Sequence, residues 1–415
     1  MGRRARDTGA SRVRQAKERL VLSHLRRLGE ASKKELAAAA GLPVQTTADA
    51  IGLLESDKLV YRRGKRLGQV GQPSIVYAIS PNGVFGLGLH VTRQRQELAL
   101  VDFNGQITKR LVVEGHLPKF DEVMALVDRG LVEFPDADSP RQRFSGIGVS
   151  LSHDLWYRPE RHALPQDVLA DWDAHSLSKE MAARFDLPVF VENDTRVAAV
   201  AEYLLGVGQD FRNFLLVSIG AHISGALVLG GNLETGSHGN AASLGAIPVG
   251  PSRLARSRDA DGVPTGEFLG DRASLSGLMR HLQLHGFTIH AVSDLPDAID
   301  QARGIVQDWL EDCVAALVEG LTACFAVIDV EAVIIESLLP SYLVLEIVEK
   351  LEQRLKRAEQ FGLTVPVIRL SQLASDGSLI GSAVLPIYEH FSPRNGIADD
   401  GDKVQRHRPR RTGKS

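Results

Sequence analysis

The sequence predicts an α/β protein, in which a small N-terminal module of helices and two short strands precedes a body of two α/β lobes. Two observations lead to this prediction. Residues 1–80 carry amphipathic helical patterns and many basic residues, whereas the rest of the chain is acidic. From Asn82 onward, apolar strands punctuated by glycine are followed by helical stretches, and this pattern occurs twice. A chain of 415 residues can bury several cores of this kind.

The composition is that of an ordinary soluble protein, with 44% hydrophobic and 24% charged residues. No apolar run approaches the roughly 18 residues of a membrane span, and the N-terminus lacks the apolar segment of a signal peptide. We therefore expect a cytoplasmic protein with no membrane partner. The two cysteines, Cys313 and Cys324, have no CxxC spacing, so neither a disulfide framework nor a cysteine zinc site is expected.

Charge is distributed unevenly along the chain. Residues 1–80 contain 16 Lys and Arg against 7 Asp and Glu, a net charge of +9. Because the whole chain has a net charge of -3, residues 81–415 carry -12. A basic module on an acidic body indicates a polyanionic partner for the module, since phosphate neutralisation supplies much of the affinity for nucleic acid.

Three helices are predicted in the basic module. Residues 12–28 place one apolar face inward, made of Val13, Ala16, Leu20, Val21, Leu25 and Leu28. Ser32 and Glu35 have the spacing of a capping box, and Gly41 is placed to end the helix that they begin. A third helix follows at once, with a buried stripe of Val44, Thr47, Ala48, Ile51 and Leu54. Two short helices joined by a glycine-containing turn are typical of a helix-turn-helix.

The third helix is the candidate for reading DNA. In a helix-turn-helix, residues near the start of the second helix contact base edges in the major groove. We therefore assign base contacts to Gln45, Thr46, Thr47 and Asp49. Two interpretations of Asp49 stay open: it accepts a hydrogen bond from a cytosine amine, or it lies off the groove.

Two short strands after the helices predict a wing. The segments KLVYRR and SIVYAIS have strand character, and the connection between them is rich in glycine and basic residues. Phosphate or minor-groove contacts are assigned to Arg62, Arg63, Lys65 and Arg66. The alternative is a protein-interaction module whose basic residues are merely solvated. We favour a double-stranded DNA operator as the partner, because the capping box, turn glycine, apolar stripe and basic wing all agree.

In the body, the stretch VFVENDTRVAAVAEYLLG, residues 189–206, is an apolar strand that becomes an amphipathic helix. Asn193 and Asp194 lie at the junction of the two. Because α/β proteins place ligands and catalytic carboxylates outside the carboxyl ends of strands, both residues are candidate site residues.

Several stretches resemble the ROK family (repressors, open reading frames and sugar kinases): SGIGVSLS, VFVEND, LLVSIGAHISGALVLGG and SDGSLIGSAVLPIY. The resemblance covers nearly the whole chain and implies a two-lobed actin-like ATPase (sugar-kinase-like) domain behind a winged helix-turn-helix. It also implies domain bounds: a DNA-binding domain at 1–80, a first lobe at 81–200 plus 376–393 and a second lobe at 201–375. The polar composition of residues 394–415 predicts a disordered basic tail.

The nucleotide-binding motifs of the family are altered in this chain. The first phosphate loop, approximately DIGGTK in the kinases, is matched by GLHVTRQR, with His90 at the acidic position. The second, GTGIGGG, is matched by GAHISGA at 220–226, and the glycine pair near the adenosine by Glu336 and Ser337. Since glycine turns cradle phosphates through their backbone N–H groups, the resemblance implies a body that is not an enzyme and holds no nucleotide cofactor.

The zinc motif of the family is also absent. Its ExGH motif aligns with Ser243 to Ala246, and the cysteine-rich stretch that follows has no cysteine here, so no metal site is expected. In the kinases, the aspartate matching Asp194 is the general base and the preceding asparagine bonds the sugar. Asn193 and Asp194 are therefore candidate sugar contacts; in the alternative, Asp194 only caps a helix.

Together these features predict a DNA-binding transcriptional regulator of carbohydrate uptake or metabolism genes, of the repressor type. Its body would sense a sugar or sugar-phosphate effector and form a homodimer or higher homo-oligomer that matches two-fold DNA half-sites. We hypothesise that the effector biases the angle between the lobes and so the spacing of the DNA heads. Two rivals are an active sugar kinase and a DNA-binding regulator with no small-molecule effector.

Overall fold

The structure, a computed structural model, describes residues 15–66, 74–115, 117–152, 166–254, 267–289, 294–373 and 376–393. The tip of the predicted wing at 67–73 and the predicted basic tail at 394–415 lie outside the described residues. In the ranges just given, every helix is too short or too polar to cross a bilayer.

The N-terminal module has the order of elements predicted for a winged helix-turn-helix. Its elements are α1 (Ala16–Leu28), β1 (Glu30–Ser32), α2 (Lys33–Ala40), α3 (Val44–Ser56), β2 (Val60–Arg66) and β3 (Ser74–Ile79). The three strands form a small antiparallel sheet in the order β1-β3-β2. The capping box is confirmed, since Glu35 N donates to Ser32 Oγ at 3.3 Å and Ser32 N donates to Glu35 Oε2 at 2.7 Å. Gly41 ends α2 in the left-handed conformation, also as predicted.

The buried face of α1 differs from the predicted one. Leu28 was expected to face inward but is 49% exposed, whereas Leu22 is buried. Glu18 and Arg19 are buried as well. The reason is that α1 packs on two surfaces, the other helices of its own module and the last helix of the body. A single apolar stripe in the sequence predicts only one of these two buried surfaces.

Two mixed sheets form the body, and they share one strand order. The first contains β4 (Phe85–Val91), β5 (Arg95–Asp102), β6 (Ile107–Glu114), β7 (Phe144–Leu151) and β8 (Val189–Asn193), in the order β6-β5-β4-β7-β8. The second contains β9 (Phe214–Ile219), β10 (Ile223–Leu229), β11 (Asn232–Glu234), β12 (Ala332–Ser337) and β13 (Val367–Leu370), in the order β11-β10-β9-β12-β13. Each sheet pairs its first three strands antiparallel and its last two parallel. The predicted repeat is confirmed.

The described helices of the body are α4 (Phe120–Glu133), α5 (Gln166–Ala174), α6 (Leu177–Phe185), α7 (Asp194–Leu205), α8 (Leu269–Arg272), α9 (Leu275–Leu284), α10 (Leu295–Gln301), α11 (Arg303–Phe325), α12 (Ser341–Leu355) and α13 (Gly377–Phe391). Helix α13 packs closely on the first sheet. A methyl group at Gly86, Gly88 or Gly148 would overlap its backbone at Ser382 or Ala383. These glycines therefore serve helix–sheet packing.

The described chain forms two compact units. The first unit lies within Met1–Asp210 and Asp376–Gly396, so the winged module belongs to it together with the first sheet and α13; the second lies within Phe211–Ser375. The predicted lobe boundary after residue 200 falls inside α7. Because α7 is buried along nearly its whole length against α13, the first unit extends beyond the end of this helix.

Candidate functional site

Helix α3 exposes Gln45 and Asp49, two of the predicted base-contact residues, near its N-terminus. Thr46 is half-buried beside them. The two exposed side chains are joined, because Gln45 Nε2 donates a hydrogen bond to Asp49 Oδ1 at 3.0 Å. This bond was not predicted from the sequence, although the i,i+4 spacing of an amide and a carboxylate could have indicated it.

Two assignments on α3 need correction. Thr47 is 0% exposed, and its hydroxyl donates to the carbonyl oxygen of Pro43 at 3.2 Å. It belongs to the core of the module, so its assignment as a base contact is wrong. Val44 was assigned to the buried stripe but is 54% exposed. It occupies the first helical position, where it extends past the core that Ile51 and Leu54 fill.

The wing arginines face acidic partners in their own module. Arg62 Nε lies 2.7 Å from Glu55 Oε1, and Arg63 Nη1 lies 3.1 Å from Glu30 Oε2. A further residue of β2, Arg66, bridges Glu30 and Glu35 at 2.7 and 3.0 Å. Lys65 is exposed on the same strand. These pairs lie on the surface, where such contacts add little stability but reduce the positive charge that phosphates would meet.

The winged module contacts the body through arginine side chains of α1, and the region of these contacts is called its seat. Arg26 Nη1 donates to the carbonyl oxygen of Phe103 at 2.8 Å, and Arg19 Nη1 donates to the carbonyl oxygen of Ser392 at 3.3 Å. Arg27 lies 5.7 Å from the ring centre of Tyr203. Burial lowers the pKa of Arg26 to about 10, so the side chain still carries its charge at neutral pH. None of these residues was singled out from the sequence.

Asn193 and Asp194 lie at the junction of β8 and α7, as predicted. Asn193 is the N-cap, since its Oδ1 accepts from Thr195 N at 2.9 Å and from Arg196 N at 3.3 Å. Asp194 is the first helical residue, and its Oδ1 accepts from Thr195 N at 2.8 Å. The N-cap is therefore Asn193, not Asp194 as the capping alternative had it. Both side chains remain half-exposed, so a ligand could reach them.

Helices α7 and α13 connect this terminus to the seat of the winged module. At one end, the Ser378 hydroxyl of α13 donates to the carbonyl oxygen of Asp194 at 3.3 Å. At the other end, Tyr203 of α7 lies under Arg27, and Phe391 of α13 packs edge-on against Phe103 with 5.2 Å between ring centres. Twelve residues of α7 span about 18 Å between these two regions.

The residue at the acidic position of the first phosphate loop is bonded within the sheet. His90 Nδ1 lies 2.5 Å from Ser150 Oγ on the neighbouring strand β7. Burial lowers the pKa of His90 to about 4, which keeps the imidazole neutral at physiological pH. A neutral imidazole in this position does not provide the carboxylate oxygen that magnesium prefers.

The turn between β9 and β10 matches the second phosphate loop. Its backbone is hydrogen-bonded to another part of the protein. Its carbonyl oxygens at Gly220 and Ala221 accept from the first backbone N–H groups of α9, Leu275 N at 2.9 Å and Ser276 N at 3.1 Å. Ser337, which stands where the family has a glycine, donates from Oγ to the carbonyl oxygen of Ile219 at 3.0 Å. The N–H groups at the start of a helix can bind an anion, but at the start of α9 they donate to backbone carbonyl oxygens instead.

The segment that follows Ala246 is held by a buried ion pair. Arg272 donates to both carboxylate oxygens of Asp312 on α11, at 3.0 and 2.9 Å, and to the carbonyl oxygen of Gly250 at 2.6 Å. Ser252 Oγ donates to the same carboxylate at 2.9 Å. Residues 255–266 of the segment lie outside the described part of the chain. In the part that is described, no three His, Cys, Asp or Glu side chains are grouped so that they could hold a metal ion.

Known proteins share this architecture. The xylose repressor of Bacillus spizizenii is 21% identical over 241 residues, which are 57% of this chain and 61% of the repressor. A crystal structure of a ROK family transcriptional regulator, a homologue of the E. coli MLC protein, superposes with a TM-score of 0.64 at 19% identity, covering 91% of this chain and 98% of that one. The ROK hexokinase of Thermus thermophilus superposes with a TM-score of 0.55 at 22% identity, covering 72% of this chain and 96% of that one.

These likenesses confirm the predicted actin-like body, and the first structure matches over the winged module as well. The family model for ROK matches residues 87–388, which is well over half of the chain. The altered motifs at His90, Gly220 and Ser337 lie within that match. The chain belongs to the ROK family.

Proposed function

We propose that this protein is a DNA-binding transcriptional regulator whose sugar-kinase-like body serves as sensor and dimerisation module rather than as an enzyme. The observation that carries the proposal is the winged helix-turn-helix seated on the body by Arg19 and Arg26. A kinase needs no such module. The proposed DNA contact surface consists of Gln45, Thr46, Asp49, Arg62, Arg63, Lys65 and Arg66. The proposed partner is an operator with two half-sites.

A sugar or sugar phosphate is the proposed effector, contacted by Asn193 and Asp194. Support comes from their half-exposed position at the start of α7, where a carboxylate and an amide can form hydrogen bonds with the hydroxyl groups of a polyol. The far ends of α7 and α13 lie beside the winged module, where Tyr203 lies under Arg27 and the carbonyl oxygen of Ser392, just after α13, accepts from Arg19. A contact at one end of this helix pair is thereby coupled to the orientation of the DNA-binding surface.

An active sugar kinase is the alternative, and the likeness to ROK hexokinases favours it. Against it stand the neutral His90, the α9 terminus bonded to the Gly220 turn, and Ser337 bonded to Ile219. A general base at Asp194 cannot complete phosphoryl transfer without a bound donor. Incubation with ATP, magnesium and a panel of hexoses and amino sugars should yield no sugar phosphate; turnover that Asp194→Asn abolishes would establish the kinase instead.

A regulator without an effector is the second alternative. Purified full-length protein should select a DNA sequence from a random duplex library, and its melting temperature should rise with at least one sugar or sugar phosphate. A saturating ligand stabilises the folded state by RT ln(1 + [L]/Kd), so a panel at millimolar concentration detects binders of micromolar affinity. DNA selection with no shift across the panel would favour the regulator that lacks an effector.

A further inference from the structure

Helix α3 has a surface that lacks positive charge. Its 13 residues include no Lys or Arg, and two of them are acids, Asp49 and Glu55. Near its N-terminus the exposed side chains are Val44, Gln45 and Asp49. Contacts of basic side chains with phosphates must therefore come from other elements of the module, such as the wing, and what α3 offers to DNA is a hydrogen-bonding and apolar surface suited to base edges.

The carboxylate of Asp49 orients the side-chain amide of Gln45. The bond from Nε2 to Oδ1 spans one helical turn at 3.0 Å. Because an ionised carboxylate only accepts hydrogen bonds, the amide nitrogen must face Asp49 and Oε1 must face away from it. The second N–H of Nε2 lies beside Oε1, so Gln45 presents one donor next to one acceptor.

We propose that Gln45 reads an adenine, that Asp49 is the positioning residue that fixes the required amide orientation, and that Val44 reads a neighbouring thymine. This inference rests on the proposed DNA binding. In the major groove adenine offers an acceptor at N7 and a donor at N6, which match the N–H and Oε1 of Gln45. Guanine offers two acceptors, so Oε1 would face O6 without a proton between them.

Val44 contributes the apolar part of this recognition surface. It occupies the first helical position and is 54% exposed, so no core contact accounts for its side chain. Residues at the start of a recognition helix lie nearest to the base edges. The apolar group that the major groove displays is the 5-methyl of thymine. Helix α3 therefore recognises a step that contains an A·T pair.

The experiment uses full-length protein and the duplex that it selects from a random library. Replacing the recognised A·T pair by G·C should weaken binding of the unaltered protein by about tenfold or more. In Asp49→Ala this penalty should fall severalfold, while binding to scrambled DNA is not weakened, because a negative charge has been removed. Replacing the thymine by deoxyuridine, which removes only the methyl group, should weaken binding of the unaltered protein but not of Val44→Ala.

Ser56→Ala, at an exposed position in the last turn of α3, is the matched control and should leave all discrimination intact. Thermal unfolding verifies that each variant is folded. If Asp49→Ala instead relaxes discrimination at a G·C pair, Asp49 itself contacts cytosine and the inference is overturned. An enriched sequence that Val44→Ala, Gln45→Ala and Asp49→Ala all recognise as the unaltered protein does also overturns it. A library that yields no enriched sequence contradicts the proposed function and this inference together.

Discussion

Arg26 of the winged module donates a hydrogen bond to the carbonyl oxygen of Phe103 in the body, and its guanidinium lies 5.0 Å from the centre of that residue's ring. The half-buried cation therefore has both a hydrogen-bond acceptor and an aromatic face. Burial alone would disfavour the charge, and the nearby Asp102 carboxylate partly offsets this effect on the pKa of Arg26. The contact joins the winged module to the rest of the first unit.

Arg26→Ala should loosen this seat. Removing a charged donor from a buried carbonyl costs about 2 kcal/mol, so the module should unfold in a separate, earlier transition in calorimetry. Arg129→Ala is the matched control, because Arg129 forms an exposed i,i+4 pair with Glu133 and should change stability little. Unchanged melting of the Arg26 variant would mean that the apolar contacts of α1 alone hold the module.

Glu30→Gln should strengthen DNA binding. It releases Arg63 and Arg66 from an acidic partner, so more positive charge faces the phosphates. We expect tighter binding and a steeper dependence of log affinity on log salt, by about one unit of slope for each additional phosphate that the wing neutralises. Glu114→Gln, which removes an exposed acid beside Arg95 on the body, is the control and should have no effect. Equal salt slopes for the Glu30 variant and the unaltered protein would contradict the wing assignment.

Asn193 and Asp194 should be separable by substitution. Asn193→Ala removes the cap of α7 and should lower the free energy of unfolding by about 1 kcal/mol, with or without sugar. Asp194→Asn keeps the shape of the side chain and should cost little stability, but it should abolish the rise in melting temperature produced by the effector. If a sugar stabilises Asp194→Asn as much as the unaltered protein, Asp194 is not a ligand contact.

His90 should contribute a specific pH dependence. Its pKa is lowered from 6.5 to about 4 in the folded state, so below pH 6.5 the unfolded chain binds a proton that the folded chain does not. Stability should therefore fall between pH 6.5 and pH 4, by up to about 3 kcal/mol from this residue. The difference between unfolding free energies of the unaltered protein and His90→Asn, measured at pH 7 and pH 4.5, should shrink as the pH falls. A pH-independent difference would contradict a neutral buried imidazole.

The buried ion pair between Arg272 and Asp312 should be costly to break on one side only. Asp312→Ala leaves a buried guanidinium unpaired and should cost about 3–5 kcal/mol. The double variant Arg272→Met with Asp312→Leu, which removes both charges, should cost clearly less in denaturant unfolding. A single variant no less stable than the double one would show that the pair is not needed to hold the segment at 250–252.

Signals that depend on neighbouring residues could be predicted from the sequence. The capping box of Ser32 and Glu35 and the turn at Gly41 each depend on a few adjacent positions, and each is present as predicted. The repeat of two sheets followed from alternating strand and helix patterns. The junction at Asn193 was located for the same reason.

Contacts between distant parts of the chain could not be predicted. Arg26 and Phe103 are 77 residues apart, and Arg66 and Glu30 are 36 apart. Neither pattern nor spacing indicates such pairs, because they depend on how the elements pack. Thr47 shows a different difficulty, since a threonine near the start of a helix is equally compatible with the core and with a base contact. Its burial is decided by the packing of α1 and α2 around α3.

The most direct test measures the affinity of full-length protein for its selected duplex, relative to its affinity for a scrambled duplex at the same salt concentration. This ratio distinguishes a sequence-specific regulator from a sugar kinase, and its response to sugar distinguishes a regulator with an effector from one without. A sequence-specific regulator should prefer the selected duplex by about a thousandfold or more, and an effector sugar should change this ratio. Equal affinity for both duplexes, with or without sugar, would mean that this protein is not a DNA-binding regulator.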